Sequence, residues 1–312
     1  MTAMTEPQPR DGATSSKRQR VLFFGGLGRS GSTLLEKLMN EVPGTRSVGE
    51  TLHLWERGIR DAERCGCGED FADCPQWRAI GEAAFGSWDR VELDDLIDLR
   101  WRIDRSRRLP QIFEAIHSGD RSADQIRYVD HYAKVLHAAA QLDADDTVIL
   151  ESSKHLSTAA LLATDPTLDV RVIHLVRDPR GVAYSWTKTV ARPEADGSIM
   201  PIYSPARTGM RWVTDNLGFE ALHALGVPME RVRYEDLLAD PIGQLGRMTA
   251  LAGLETTTFD FVDGAEVHVQ KPMHSIAGNP MRFGGDTMTL RLDDAWRTKL
   301  CLLYTSPSPR DA

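Results

Sequence analysis

The chain has 312 residues, 41% of them hydrophobic, with a formal net charge of −8 and a sequence pI of about 5.6. These values suit an enzyme-sized α/β body and exclude a general nucleic-acid binder, which carries a basic excess over a whole face. The first twenty residues hold no apolar stretch, and no window elsewhere has the roughly 18 to 20 apolar residues of a membrane span, so a cytoplasmic protein without a membrane span is expected.

In chain order, residues 1–19 are polar and aperiodic and predict a disordered leader. Val21 to Phe24 form a short apolar run that feeds directly into GGLGRSGST, after which Leu34, Leu35, Leu38 and Met39 recur at helical spacing. The pattern predicts strand, glycine loop and helix, with Pro43 and Gly44 closing the helix. From about residue 52 to 142 the sequence turns charged and helix-favouring, with scattered large apolar residues including Trp77, Trp88, Trp101 and Leu136. This stretch is expected to be a helical insertion that caps the cleft at the carboxyl ends of the strands. A second apolar run, Thr147 to Leu150, leads into ESSKH, and a third, Val170 to Val176, leads into RDPRG. Each predicts a buried parallel strand ending at a functional turn. The fold expected is α/β, of the P-loop type: a three-layer α/β/α sandwich on a central parallel sheet, with one domain over about 20–300. The last stretch, CLLYTSPSPRD, carries Pro307 and Pro309 and has the look of translated adaptor DNA, so residues 301–312 are expected to be a non-native tail.

Two segments carry anion-binding chemistry. In Gly26-Leu27-Gly28-Arg29-Ser30-Gly31-Ser32-Thr33 the glycines permit a tight loop with inward-facing amides, and the next helix adds its free N–H groups and positive dipole end. The spacing matches a nucleotide-binding P-loop except that Ser32 stands where an NTPase has lysine, and Arg29 supplies the cation instead. Phosphoryl transfer usually relies on that lysine together with magnesium, whereas a sulfuryl group carries less charge and can be moved by cationic side chains and amides with no metal. The second segment is VRVIHLVRDPRGVAYSW, where a strand ends at Val176, Asp178 is a natural helix N-cap and Pro179 is pre-set for the first helical position. Arg177 then sits at a strand end and Ser185 about two turns into the helix, in a locally basic stretch that suits a second phosphate.

The pairing of GRSGSTLL with LVRDPRGVAYSW resembles the sulfotransferases that depend on 3′-phosphoadenylyl sulfate (PAPS), their bacterial, carbohydrate and tyrosylprotein branches more than the cytosolic aryl branch. The resemblance covers roughly Val21 to Leu300 and implies transfer of a sulfuryl group to an acceptor hydroxyl or amine. It implies PAPS as donor with no metal required, and a small-molecule, carbohydrate or peptide acceptor. It carries the 5′-phosphosulfate to Arg29, Ser30, Gly31, Ser32 and Thr33, with Arg29 and Lys154 also catalytic in stabilising the leaving 5′-phosphate, and the 3′-phosphate to Arg177 and Ser185. Glu50, in VGETLHLW, resembles the tyrosylprotein-branch base, with a structural partner of an arginine as its bland alternative and His53 as a competing base. Lys154 resembles the family lysine that touches the reacting sulfuryl group, Tyr234 a tyrosine near the adenine, and HSIAGNPMRFGGD the late loop that closes over the donor. Asn279 and Arg282 in that loop are then candidate 3′-phosphate or substrate contacts. Cys65, Cys67 and Cys74 could bind zinc, but three thiols lack a fourth ligand at ordinary spacing, so a reduced, metal-free loop is expected. Two other readings stay open at this point: a P-loop small-molecule kinase, and a nucleotide-binding protein without catalysis.

Overall fold

Residues 17–143, 146–192 and 198–300 are described in the computed structural model; most of the expected leader and the whole of the expected tail lie outside them. A five-stranded parallel sheet runs β2-β3-β1-β4-β5, built from β1 (Gln19–Gly25), β2 (Thr45–Gly49), β3 (Val148–Lys154), β4 (Leu168–Val176) and β5 (Met229–Arg233). The central strand shows why the apolar runs are continuous. Val21 and Phe23 point into one core with residues of the insertion, whereas Leu22 and Phe24 point into the other, and all four are no more than 1% exposed. A strand covered by helices on both faces has no polar side to alternate with.

Helices α1 (Ser32–Glu41) and α10 (Pro241–Ala252) cover the Leu22 face, while α5 (Ala123–Ala140), α6 (Leu156–Leu162) and α8 (Pro205–Ala224) cover the Val21 face. The expected three layers are therefore present. Between β2 and its neighbour β3 lies the insertion, which packs α2 (Pro75–Phe85), α3 (Leu93–Ile103), α4 (Leu109–Ser118) and α5. Its core is aromatic: Trp55, Trp77, Tyr128 and Tyr132 are fully buried, with Trp55 and Tyr132 edge to face at 5.5 Å. α5 is its longest helix and begins with a complete capping box, Ser122 accepting from the Gln125 N–H and the Gln125 side chain accepting from the Ser122 N–H. Of the four markers read from sequence, Trp77 and Leu136 are buried, whereas Trp101 is 43% exposed and carries Arg105 stacked at 4.3 Å.

Two boundaries and one element differ from expectation. Gln19 already belongs to β1, where its amide bonds the Thr167 carbonyl, so the ordered body begins before residue 20. β3 extends through the polar ESSK segment because its serines and glutamate are buried and bonded, which apolar patterning could not register. A small antiparallel sheet, β6 (Val262–Asp263), β7 (Glu266–His268) and β8 (Thr287–Thr289), flanks the α10 side and was not anticipated, its strands being too short for periodicity to appear. Among the described residues, no helix is long and apolar enough to cross a membrane.

Candidate active site

The carboxyl ends of β1, β3 and β4 meet at one sheet edge, since Gly25 pairs with Lys154 on one side and with His174 on the other. The chain crosses from one side of β1 to the other here, the place where open α/β sheets leave a crevice. The glycine loop leaves β1 at this point. At Gly26, with φ of 134°, a side chain would collide with the Leu175 carbonyl oxygen, so the loop lies hard against β4. Gly31 is the N-cap of α1 with φ of 101°, and no side chain caps the helix or places an acidic group in its first turn. The amides of that turn thus face outward from the sheet edge uncapped, beside the buried side chains of Ser30, Ser32 and Thr33. Arg29 is held at φ of 75°, a left-handed conformation uncommon for a residue with a side chain. Its guanidinium lies 5.2 Å over the Trp186 ring and 3.1 Å from Met200 Sδ, and burial lowers its pKa from the ordinary value.

The second anion segment is joined directly to the first. Asp178 caps α7 (Pro179–Thr187) by accepting from the Arg180 N–H at 2.9 Å, as its sequence predicts. Arg177 is buried; it donates to the Arg29 carbonyl at 3.2 Å and to the Asp293 carbonyl at 3.0 Å, and its guanidinium stacks at 4.4 Å on the Tyr234 ring. Because Val176 pairs with Arg233, Arg177 and Tyr234 leave adjacent strand ends together. A methyl group on Gly31 would stand 2.6 Å from that same tyrosine ring, so Tyr234 supports both the loop and Arg177. Ser185 lies half-buried on α7, next to Trp186, whose indole donates to the Gly28 carbonyl at 3.0 Å. The Asp293 carboxylate, 3.3 Å from Arg177 and 3.1 Å from Lys188 Nζ, is the anion these cations hold here.

Glu50 and Lys154 face each other across the ends of β2 and β3 as a close ion pair, with Lys154 at φ of 70° and Nζ also 3.2 Å from the Ser152 carbonyl. A methyl on Gly278 would stand 3.0 Å from Glu50 Oε1 and 3.7 Å from Thr33 Oγ1, which places the carboxylate beside the start of α1. His53 Nε2 is 3.7 Å from Glu50 Oε2. Burial first, then Arg57 and Arg100, pushes its pKa well below the usual imidazole value, so it is neutral at pH 7 and a weak proton acceptor.

Sequence reasoning passed over Glu151. It is fully buried and accepts from Thr51 N at 3.0 Å, Thr51 Oγ1 at 2.7 Å and Ser153 N at 3.0 Å, tying the segment after Glu50 to the strand that carries Lys154. Burial raises its pKa to about 7 despite the hydrogen bonds that pull it down. A glutamate directly continuing an apolar strand run was the available signal.

The late loop closes over this edge. Asn279 Oδ1 accepts from Met281 N at 3.0 Å and so caps the short turn Pro280–Phe283, and Lys37 Nζ donates to the Gly284 carbonyl at 3.1 Å. Arg282, the candidate 3′-phosphate or substrate contact, is 2% exposed and donates to the Arg64 carbonyl at 3.1 Å, facing the segment that leads to the cysteines. At the cysteines the structure corrects the expectation of a missing fourth group: His274, about 200 residues later in the chain, brings Nδ1 to 3.2 Å from Cys74 Sγ and 4.0 Å from Cys65 Sγ.

Comparison with known proteins agrees with this architecture. The model of the sulfotransferase family matches residues 22–258. Carbohydrate sulfotransferase 5 of Mus musculus is 26% identical over 285 residues, covering 80% of this chain and 67% of that protein. Carbohydrate sulfotransferase 6 of Homo sapiens is also 26% identical over 285 residues, with coverage of 81% and 69%. Among solved structures, the sulfotransferase domain of the Synechococcus PCC 7002 olefin synthase superposes with a TM-score of 0.50 at 19% identity, over 94% of this chain and 92% of that domain, a likeness of fold. The family match spans the glycine loop, the Arg177 segment and the insertion between them, so the chain belongs to the sulfotransferase family and is an enzyme of sulfuryl transfer.

Proposed function

We propose that the donor is PAPS, that Glu50 is the base, and that the acceptor is a hydroxyl group, with carbohydrates the first class to try given the names of the two curated relatives. The observation that carries the donor is the junction of the two anion-holding segments, in which Arg177 donates to the Arg29 carbonyl while Arg177 and Gly31 both pack on Tyr234. A ligand with phosphates at two ends fits such a pair of sites better than a single phosphate chain does. Amides of the α1 start with Ser30, Ser32 and Thr33 would hold the 5′-phosphosulfate, and Arg177 with Ser185 the 3′-phosphate in place of the Asp293 carboxylate. Each charge-assisted hydrogen bond of this kind contributes about 1.5–3 kcal/mol.

The bound donor supplies a sulfuryl group activated by its bond to a phosphate oxygen. Lys154, drawn toward the added negative charge, releases the Glu50 carboxylate to accept the acceptor proton. Lys154 and the loop amides then face the oxygen on which charge develops as the sulfur changes partners. No lysine stands at the P-loop position and the family match is to sulfotransferases, which removes the support for the kinase reading.

The test is calorimetric titration with 3′,5′-adenosine bisphosphate in magnesium-free buffer, repeated with Arg177→Ala. Tight binding that is lost in the variant is expected. Equal affinity in both would overturn the 3′-phosphate assignment, and absence of binding by folded wild-type protein would overturn the donor.

A further inference from the structure

Outside the reacting centre, three thiols and one imidazole converge. Cys65, Cys67, Cys74 and His274 place their four ligand atoms within 4.8 Å of one another. A tetrahedral zinc ion with bonds of about 2.3 Å to sulfur and about 2.0–2.1 Å to nitrogen sets its ligand atoms about 3.8 Å apart for two sulfurs and about 3.5 Å apart for sulfur and nitrogen. Here Cys67 Sγ and Cys74 Sγ are 3.8 Å apart, and His274 Nδ1 lies 3.2 Å from Cys74 Sγ and 4.0 Å from Cys65 Sγ. The sulfur separation is far beyond the roughly 2.05 Å of a disulfide.

The surroundings are built for this convergence. Cys65 and Cys74 are fully buried. The Cys65 N–H is fixed to the Glu69 carbonyl at 2.8 Å and the Cys74 N–H to the Asp70 carbonyl at 3.0 Å, and Cys74 stands at the N-cap of α2. His274 is held by its backbone: its carbonyl accepts from Trp77 Nε1 at 2.9 Å, and the next carbonyl, of Ser275, accepts from Gly66 N at 2.9 Å. The glycine between the first two cysteines is required, since a methyl on Gly66 would stand 2.5 Å from the Met273 carbonyl oxygen.

We propose that Cys65, Cys67, Cys74 and His274 bind one structural zinc ion. Three soft thiolates and an imidazole converging within 4.8 Å select zinc among the common cations, and a site whose four positions are all filled by protein is structural rather than catalytic. The ion fastens the late loop to the insertion. Gly49, one residue before Glu50, packs against Ser275, and Gly278 packs against the Glu50 carboxylate, so the bound ion fixes the loop that walls the proposed base. The site stands whether or not the donor and acceptor assignments hold.

The experiment is elemental analysis of untagged full-length protein, purified without chelators. About one zinc per chain is expected, falling at least fivefold in Cys74→Ser and in His274→Ala. Should those variants fail to fold, the wild-type protein decides the matter by itself. Titration of its thiols with an organic mercurial should release one zinc to a chromophoric indicator, and cobalt substitution should produce a sulfur-to-cobalt charge-transfer band. Folded protein that retains less than a tenth of an equivalent after incubation with excess zinc and desalting would overturn the site. Iron in place of zinc, or full zinc in folded His274→Ala, would overturn the metal or the ligand set.

Discussion

Gly31→Ala tests whether the two anion segments act as one unit. An alanine at φ of 101° sits in a backbone region that costs about 1–3 kcal/mol for a residue with a side chain. Its methyl would also stand 2.6 Å from Tyr234 Cδ2, where ordinary contact begins near 3.4 Å, so the ring must move by almost 1 Å. Overpacking of that size costs about 1–3 kcal/mol. The ring cannot move without disturbing Arg177, which stacks on it at 4.4 Å. If only 1.4 kcal/mol of the total is felt in the complex, affinity for 3′,5′-adenosine bisphosphate falls about tenfold. Calorimetry across the double-mutant cycle with Tyr234→Ala separates the two costs: with the ring gone, Gly31→Ala should retain the backbone strain and lose the overlap. Wild-type affinity in Gly31→Ala, or the same added cost with and without the Tyr234 ring, would refute the coupling.

Three other expectations follow from the same structure. Glu50→Gln should lower kcat by about 10²–10⁴ with bisphosphate affinity unchanged, and Lys154→Ala should lower kcat far more than that affinity; equal loss of both quantities would show that these residues bind rather than react. Asp293→Ala should tighten bisphosphate binding about two- to fivefold, because it removes a half-exposed carboxylate that competes for Arg177 and Lys188 at roughly 0.5–1 kcal/mol, and weaker binding would count against the competition. His174, buried against Phe219, has its pKa lowered by burial to about 4, so the native state takes up its proton later than the unfolded chain does. Stability conferred by the neutral ring is therefore complete above the unfolded value near 6.5 and is lost as pH falls from there to about 4, by up to about 3 kcal/mol. Unfolding free energies from urea titrations at pH 7 to 4 should fall by up to about that amount more for wild type than for His174→Leu, and parallel curves would refute it.

What was legible in the sequence was local. The glycine loop, the Asp178-Pro179 helix start and the apolar strands carry their signal within a dozen residues, because backbone conformation and two-sided burial dictate residue type directly. Glu50 and Lys154 are nominated by the family resemblance, but they stand about 100 residues apart in sequence and their pairing appears only when β2 lies beside β3. His274 was illegible for the same reason, since an isolated histidine in a glycine-rich loop looks like any other until the fold carries it to Cys74. Arg282 lies in the expected loop, and the contact of its guanidinium with the Arg64 carbonyl is set by the Pro280–Phe283 turn, a matter of dihedral angles that composition does not encode.

The strand order has a consequence for synthesis. β1 leaves the ribosome before both of its neighbours, β3 and β4, and roughly 120 residues of insertion and flanking chain separate it from the first of them. At about 5–20 residues per second, the VLFF segment spends several seconds to tens of seconds with both edges unpaired. A strand with two bare edges and two apolar faces is prone to associate. The polar, charged residues that precede it, and α1, which packs over Leu22 and Phe24 in the finished fold, are the means at hand to keep it shielded until its partners arrive. Expression yield should therefore respond more to chaperone supply and growth temperature than the stability of the finished protein would suggest.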